Sequence, residues 1–60
     1  MVYYLPSVKC LIDTNDLYLY AQERDGNFIK WKHLDEMSDS FFMRLNDSDF
    51  GTIENLLNNR

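Results

Sequence analysis

The 60-residue sequence holds one cysteine, one proline, two glycines and one histidine. A lone thiol, Cys10, excludes any internal disulfide, and with it the framework on which most secreted domains of this size depend. A reducing compartment is therefore expected. His33 is followed by Asp35 and Glu36, but without a second spaced His or Cys these residues do not compose a zinc site. Two glycines leave no room for a phosphate-cradling Gly-rich loop. "DTNDLY" and "NDSDFG" carry oxygen ligands and Gly at the wrong offsets for a calcium loop. No apolar run approaches the ~18 residues of a membrane span, and no basic stretch followed by an apolar one opens the chain as a signal peptide would. The expectation is a soluble, cytoplasmic protein with no membrane partner, cofactor, metal centre or catalytic residues. It does not read as an enzyme.

What is present argues for a folded chain. Hydrophobic residues make up 45% and aromatic residues 15%, too rich a mixture for a disordered tail. A chain this short buries only about 60% of the surface its unfolded form exposes, so residues 1–60 are read as one small, marginally stable domain. Contact with a partner protein or a second copy would add to that stability. The net charge of −4 is unevenly spread. Up to Leu34, four cations balance four anions; from Asp35 onward, two cations face six anions. The chain is electrically two-sided, and each side can select a different partner.

Hydrophobic periodicity divides the chain at the same place. Residues 8–12, 17–23 and 28–33 alternate as strands, separated by the turn-forming cluster Asp13 to Asp16 and by Asp25-Gly26. Val2 to Leu5, ended by Pro6, has the look of a short N-terminal edge strand. A three-residue loop, Arg24-Asp25-Gly26, pairs Leu19 with Trp31 and Ala21 with Ile29, keeping lysines off the apolar face. A four-residue loop from Asp13 to Asp16 sets Ile12 beside Leu17 and Cys10 beside Leu19. The inner face then comprises Val8, Cys10, Ile12, Leu17, Leu19, Ala21, Ile29 and Trp31, with His33 at its margin. Beyond Leu34 the period becomes helical. Leu34, Met37, Phe41 and Leu45 mark a helix over 35–45, and Phe50, Ile53, Leu56 and Leu57 a second over 49–58. The expected fold is α+β: a three-stranded antiparallel meander, to which Val2 to Leu5 could add a short N-terminal edge strand, and two short C-terminal helices packed on one face.

The opposite sheet face would present Lys9, Leu11, Tyr18, Tyr20, Gln22, Phe28, Lys30 and Lys32, a field of aromatics and cations without a carboxylate. Tyrosines anchor protein partners and lysines pair with carboxylates, which marks Lys9, Tyr18, Tyr20, Phe28, Lys30 and Lys32 as partner-binding candidates. The plainer alternative is a solvated face whose lysine stems cover tyrosine rings. A second functional reading is single-stranded nucleic acid, since bases stack on exposed rings while lysines neutralise phosphates. Three lysines on an acidic chain, and no arginine on that face, favour protein over nucleic acid.

"VKCLIDTND", Val8 to Asp16, resembles the first strand and Asp-Thr-Asn of PIN-domain ribonucleases. That resemblance implies a metal-dependent nuclease in which Asp13 ends the strand and helps bind a divalent ion with further carboxylates. It covers nine residues of sixty, and "LYLYAQERDGNFIKW" alternates like a hairpin where that family places a helix. A lone Asp cannot organise Mg²⁺. The reading that fits the chain best is a small acidic interaction protein, a modulator or inhibitor that occupies a partner's surface. Self-association is left open, and the size suits a compact viral genome.

Overall fold

A computed structural model describes residues 1–59, and among them four strands precede two α-helices. β1 (Val2–Leu5), β2 (Cys10–Asp13), β3 (Tyr18–Gln22) and β4 (Phe28–His33) form one antiparallel sheet in sequence order. A single 3-10 turn, Leu34–Glu36, leads to α1 (Asp39–Met43) and α2 (Asp47–Asn58). The architecture is α+β, and the sheet has four strands: Val2 to Leu5 pairs along its whole length with β2.

Several boundaries differ from the sequence expectation, each for a local reason. Residues 8 and 9 do not belong to β2. They close the β1–β2 turn, in which Val8 N–H donates to the Leu5 carbonyl at 3.2 Å and Lys9 takes a left-handed φ of 53°. The β2–β3 register is Cys10↔Ala21 and Ile12↔Leu19, two residues away from the pairing expected. A slip of two preserves faces, so Cys10, Ile12 and Leu19 still point inward. Leu17 is displaced from β3 into the turn. There it adopts φ 60°, donates its N–H to the Asp13 carbonyl at 2.8 Å and remains buried. Asp13 and Asp16 organise this turn by accepting from the backbone N–H groups of Asn15 and Tyr18.

The β3–β4 hairpin begins as expected, with Ala21 opposite Ile29 and Gly26 at φ 91°. It then departs. Tyr20 pairs with Lys30 but Leu19 pairs with Lys32, leaving Trp31 as the extra residue of a β-bulge. The inserted residue exchanges the faces of everything after it. His33 moves opposite Tyr18, and Leu34 turns into the core at 1% exposure, its N–H donating to the Leu17 carbonyl at 2.9 Å. The bulge thus places a leucine rather than a histidine over the central strands.

The core is Leu5, Cys10, Ile12, Leu17 and Leu19 from the sheet side, with Leu34, Phe41 and Ile53 from the segment above it. Burying an aliphatic side chain of this kind contributes about 1.5–3 kcal/mol, so these few residues supply most of the driving force. Ile29 and Trp31, expected in the core, are instead 47% and 41% exposed. They lie on β4 at the sheet's edge, beyond the reach of the helices.

Leu34, Met37, Phe41 and Leu45 all pack inward, yet no continuous helix spans 35–45. Met37 and Ser38 are extended, with ψ of 142° and 166°. The Ser38-Asp39-Ser40 run favours chain ends and caps over helix interior. α2 starts two residues earlier than expected because Asn46 caps it, its Oδ1 accepting from Asp49 N–H at 2.7 Å. The Asp49 carboxylate does not fold back on its own helix. Its Oδ2 accepts from Ser7 N–H at 3.0 Å and from the Ser7 hydroxyl, tying the β1–β2 turn to the start of α2. Because Asp49 occupies the inward direction, Phe50 is rotated outward and is 46% exposed rather than part of the stripe.

Two substitutions test this account. Asp49→Ala removes both long-range hydrogen bonds to a buried carboxylate and lowers unfolding free energy by about 2 kcal/mol, measured in urea. A loss below about 0.5 kcal/mol would show that the tie is immaterial. Lys9→Gly relieves the left-handed backbone at an exposed site and raises stability by about 0.5–1 kcal/mol in the same assay.

Candidate functional site

The outer sheet face carries a connected set of rings and cations. Tyr18 and Tyr20 on β3, and Phe28 on β4, are half-buried, with Leu11 between them and β1. Lys30 Nζ lies 4.2 Å from the centroid of the Tyr18 ring, which in turn meets the His33 ring edge-on at 5.3 Å. The flexible ammonium is thereby held over an electron-rich face. Tyr4 and Phe28 come from opposite edges of the sheet, yet their rings meet edge-on at 6.3 Å.

The six candidate residues are not equally placed. Tyr18, Tyr20, Phe28 and Lys30 fall together on the outer face. Lys9 is exposed in the β1–β2 turn, outside any strand. Lys32 sits opposite Leu19 because of the bulge, with Nζ 5.6 Å from the centroid of the Trp31 ring. Among the described residues, no carboxylate stands within ion-pair distance of Lys30 or Lys32. Sequence reasoning placed Tyr3 and Tyr4 outside the core without assigning either to a sheet face, and it missed His33 as a member of this one. The parity of Val2 to Leu5 was enough to put Tyr4 on this face, whereas His33 arrives only through the bulge. Asp13 also reaches this face, at the end of β2, so the field is not wholly free of carboxylates.

His33 is committed locally. Its Nδ1 accepts from Asp35 N–H at 3.0 Å and its own N–H donates to Glu36 Oε2 at 3.2 Å, a reciprocal cap on the Leu34–Glu36 turn. The Asp35 carboxylate approaches Nδ1 at 3.6 Å, but a nitrogen that accepts from the backbone cannot donate to it at the same time. Asp13 Oδ1 accepts from Asn15 N–H at 2.9 Å, the role of a turn residue. Among the described residues, no group of three His, Cys, Asp or Glu is arranged to hold a metal ion. The segment after Asp13 is a turn and strand, not the helix of the nuclease family it resembles.

Cys10 lies in the core and donates its S–H to the Val8 carbonyl at 3.2 Å. Burial pushes its thiol pKa up, with the Arg44 charge acting weakly in the other direction. The folded chain therefore holds this proton to higher pH than the unfolded chain. The stabilisation is complete below the unfolded thiol's pKa and declines as pH rises through the alkaline range toward the folded value. A buried neutral thiol is a poor nucleophile. Iodoacetamide at neutral pH is expected to label Cys10 only as fast as the chain opens, so labelling accelerates steeply across the urea transition. Rapid modification of the native protein would overturn the assignment.

None of the described helices is long and apolar enough to cross a membrane. No known protein-family model, curated protein or solved structure matches the chain.

Proposed function

We propose that this chain is a small non-enzymatic protein-interaction module, a modulator or inhibitor that works by occupying a partner's surface. One observation carries the reading: Tyr4, Tyr18, Tyr20 and Phe28 gather on the sheet face opposite the helices, with Lys30 poised over Tyr18. Rings held in place by one another lose little side-chain freedom on binding, which is what makes tyrosine an efficient anchor at protein interfaces. The unpaired lysines add selectivity for an acidic counterpart and speed its approach.

Single-stranded nucleic acid is the second reading, resting on the same rings. Stacking would require bases to reach the faces of Tyr18 and Tyr20, but Lys30 already covers the Tyr18 ring. Few cations stand near enough to follow a phosphate backbone. The weaker alternative, a metal-dependent nuclease around Asp13, has only the short sequence likeness behind it.

Affinity capture from extract of the native host, comparing wild type with Tyr20→Ala/Lys30→Ala, tests the proposal. The expected result is one partner recovered by the wild type and depleted about tenfold by the variant, followed by direct binding of the purified pair. Equal recovery would remove this face from the interaction. Titration of labelled oligonucleotide at two salt concentrations addresses the alternative, and tight, salt-dependent binding there would displace the protein reading.

A further inference from the structure

One row of side chains on the inner sheet face loses cover steadily from β1 to β4. Leu5, Cys10, Ala21 and Ile29 are aligned across the four strands, and exposure climbs from 1% at Leu5 to 47% at Ile29. β4 is therefore an edge strand open on its flank and uncovered on its helix side. Trp31, the extra residue of the bulge, is 41% exposed beside it.

The hydrogen-bond phase of this edge follows from its turn. Glu23 N–H donates to the Asn27 carbonyl at 2.8 Å and the Glu23 carbonyl accepts from Gly26 N–H at 3.0 Å, so the backbone groups of Glu23 face the hairpin interior and the pairing alternates from there. Ile29 bonds inward to Ala21, whereas Phe28 and Lys30 direct their N–H and C=O groups outward. Past the bulge, His33 also points its N–H outward, but Glu36 Oε2 accepts it at 3.2 Å and closes that end. The open stretch is Phe28 to Trp31.

Charge selects what can pair there. β4 contains no carboxylate, and among the described residues Lys30 and Lys32 have no ion-pair partner, although the sequence has ten acidic residues. A second copy docking edge to edge would bring its own Lys30 and Lys32 against these, and such lysines guard edges against self-pairing. The β1 edge has no charged side chain to discriminate between partners. An acidic strand meets the opposite situation at β4: its backbone completes the ladder, its carboxylates on the outer face reach the Lys30 ammonium, and its alternate apolar side chains fall beside Ile29 on the inner face, where Lys32 stands beyond the bulge.

We propose that the free edge of β4 is a strand-addition site for an extended acidic segment of a partner protein, with Phe28 and Lys30 supplying backbone hydrogen bonds, Lys30 the charge on the outer face, Ile29 and Trp31 the apolar contact, and Lys32, on the face of Ile29, adding to the positive field at the end of the strand. This deepens the interaction reading above and rests on it. Strand addition draws affinity from main-chain bonds and specificity from alternate side chains, which the bulged, cationic edge supplies together.

The probe is a short peptide of alternating Glu and Val, with Lys-Val and alternately N-methylated Glu-Val peptides as controls. Trp31 is the only tryptophan, so its emission reports occupancy directly. Glu-Val is expected to shift Trp31 emission to the blue and to slow amide exchange of Phe28 and Lys30 about tenfold at saturation. Lys-Val and the N-methylated peptide are expected to bind at least about tenfold more weakly. Lys30→Glu/Lys32→Glu, checked for an unchanged urea midpoint, is expected to reverse the preference between Glu-Val and Lys-Val. Equal binding of the two charged peptides, retained binding after N-methylation, or no Glu-Val binding at about 1 mM would each overturn the proposal. In that last case, a partner still lost from Tyr20→Ala/Lys30→Ala leaves the outer-face reading standing and removes the edge alone.

Discussion

The structure depends on how much sheet two short helical segments can cover. Five and twelve residues of α-helix cannot roof four strands, so burial is concentrated on β2 and β3, where Ile12 and Leu19 are fully enclosed. Everything toward β4 is left open. The chain cannot close that side by growing its core, because at this length surface dominates over volume. The open flank is a consequence of size, and it is also where the unpaired cations and the tryptophan stand.

Within that constraint, two devices decide how the layers meet. The β-bulge at Trp31 shifts the end of β4 by one residue, directing Leu34 into the core and His33 onto the opposite face beside Tyr18. Asp49 then fixes the start of α2 to the β1–β2 turn through Ser7. A hydrogen bond across 42 residues of chain imposes a position that apolar packing alone, being non-directional, would leave loose. It also explains why Phe50, a residue with every right to a core position by spacing, faces outward. The functional proposals inherit both devices. The outer face owes the Tyr18–His33 contact to the bulge, and the bulge also interrupts the outward hydrogen-bond phase beyond Trp31.

Much of the fold was legible in the residues because alternation and helical spacing are local signals. The hairpin turns, the inward parity of Cys10, Ile12 and Leu19, and the helical character after Leu34 all follow from side-chain period and turn chemistry. The face bearing Tyr18, Tyr20, Phe28 and Lys30 followed from the same parity. Most of the errors have a common form. Four arose where a single residue left the regular pattern: Lys9 and Leu17 in left-handed turns, Trp31 in the bulge, Asp49 inward in place of Phe50; the break in the helix expected over 35–45 and the exposure of Ile29 are of another kind. A non-glycine residue at positive φ carries no reliable mark in sequence, since the surrounding structure has to hold it there.

The sequence by itself determined which residues are apolar, at what period they recur and where the chain turns, and so it settled the class of fold and the inner face of the two central strands. Only the tertiary structure decided how far the helical layer extends, and therefore that Ile29 and Trp31 meet solvent while Leu34 does not. The reason is physical: parity assigns a side chain to a face, but burial requires something on the other side of it, and that cover comes from residues distant in the chain.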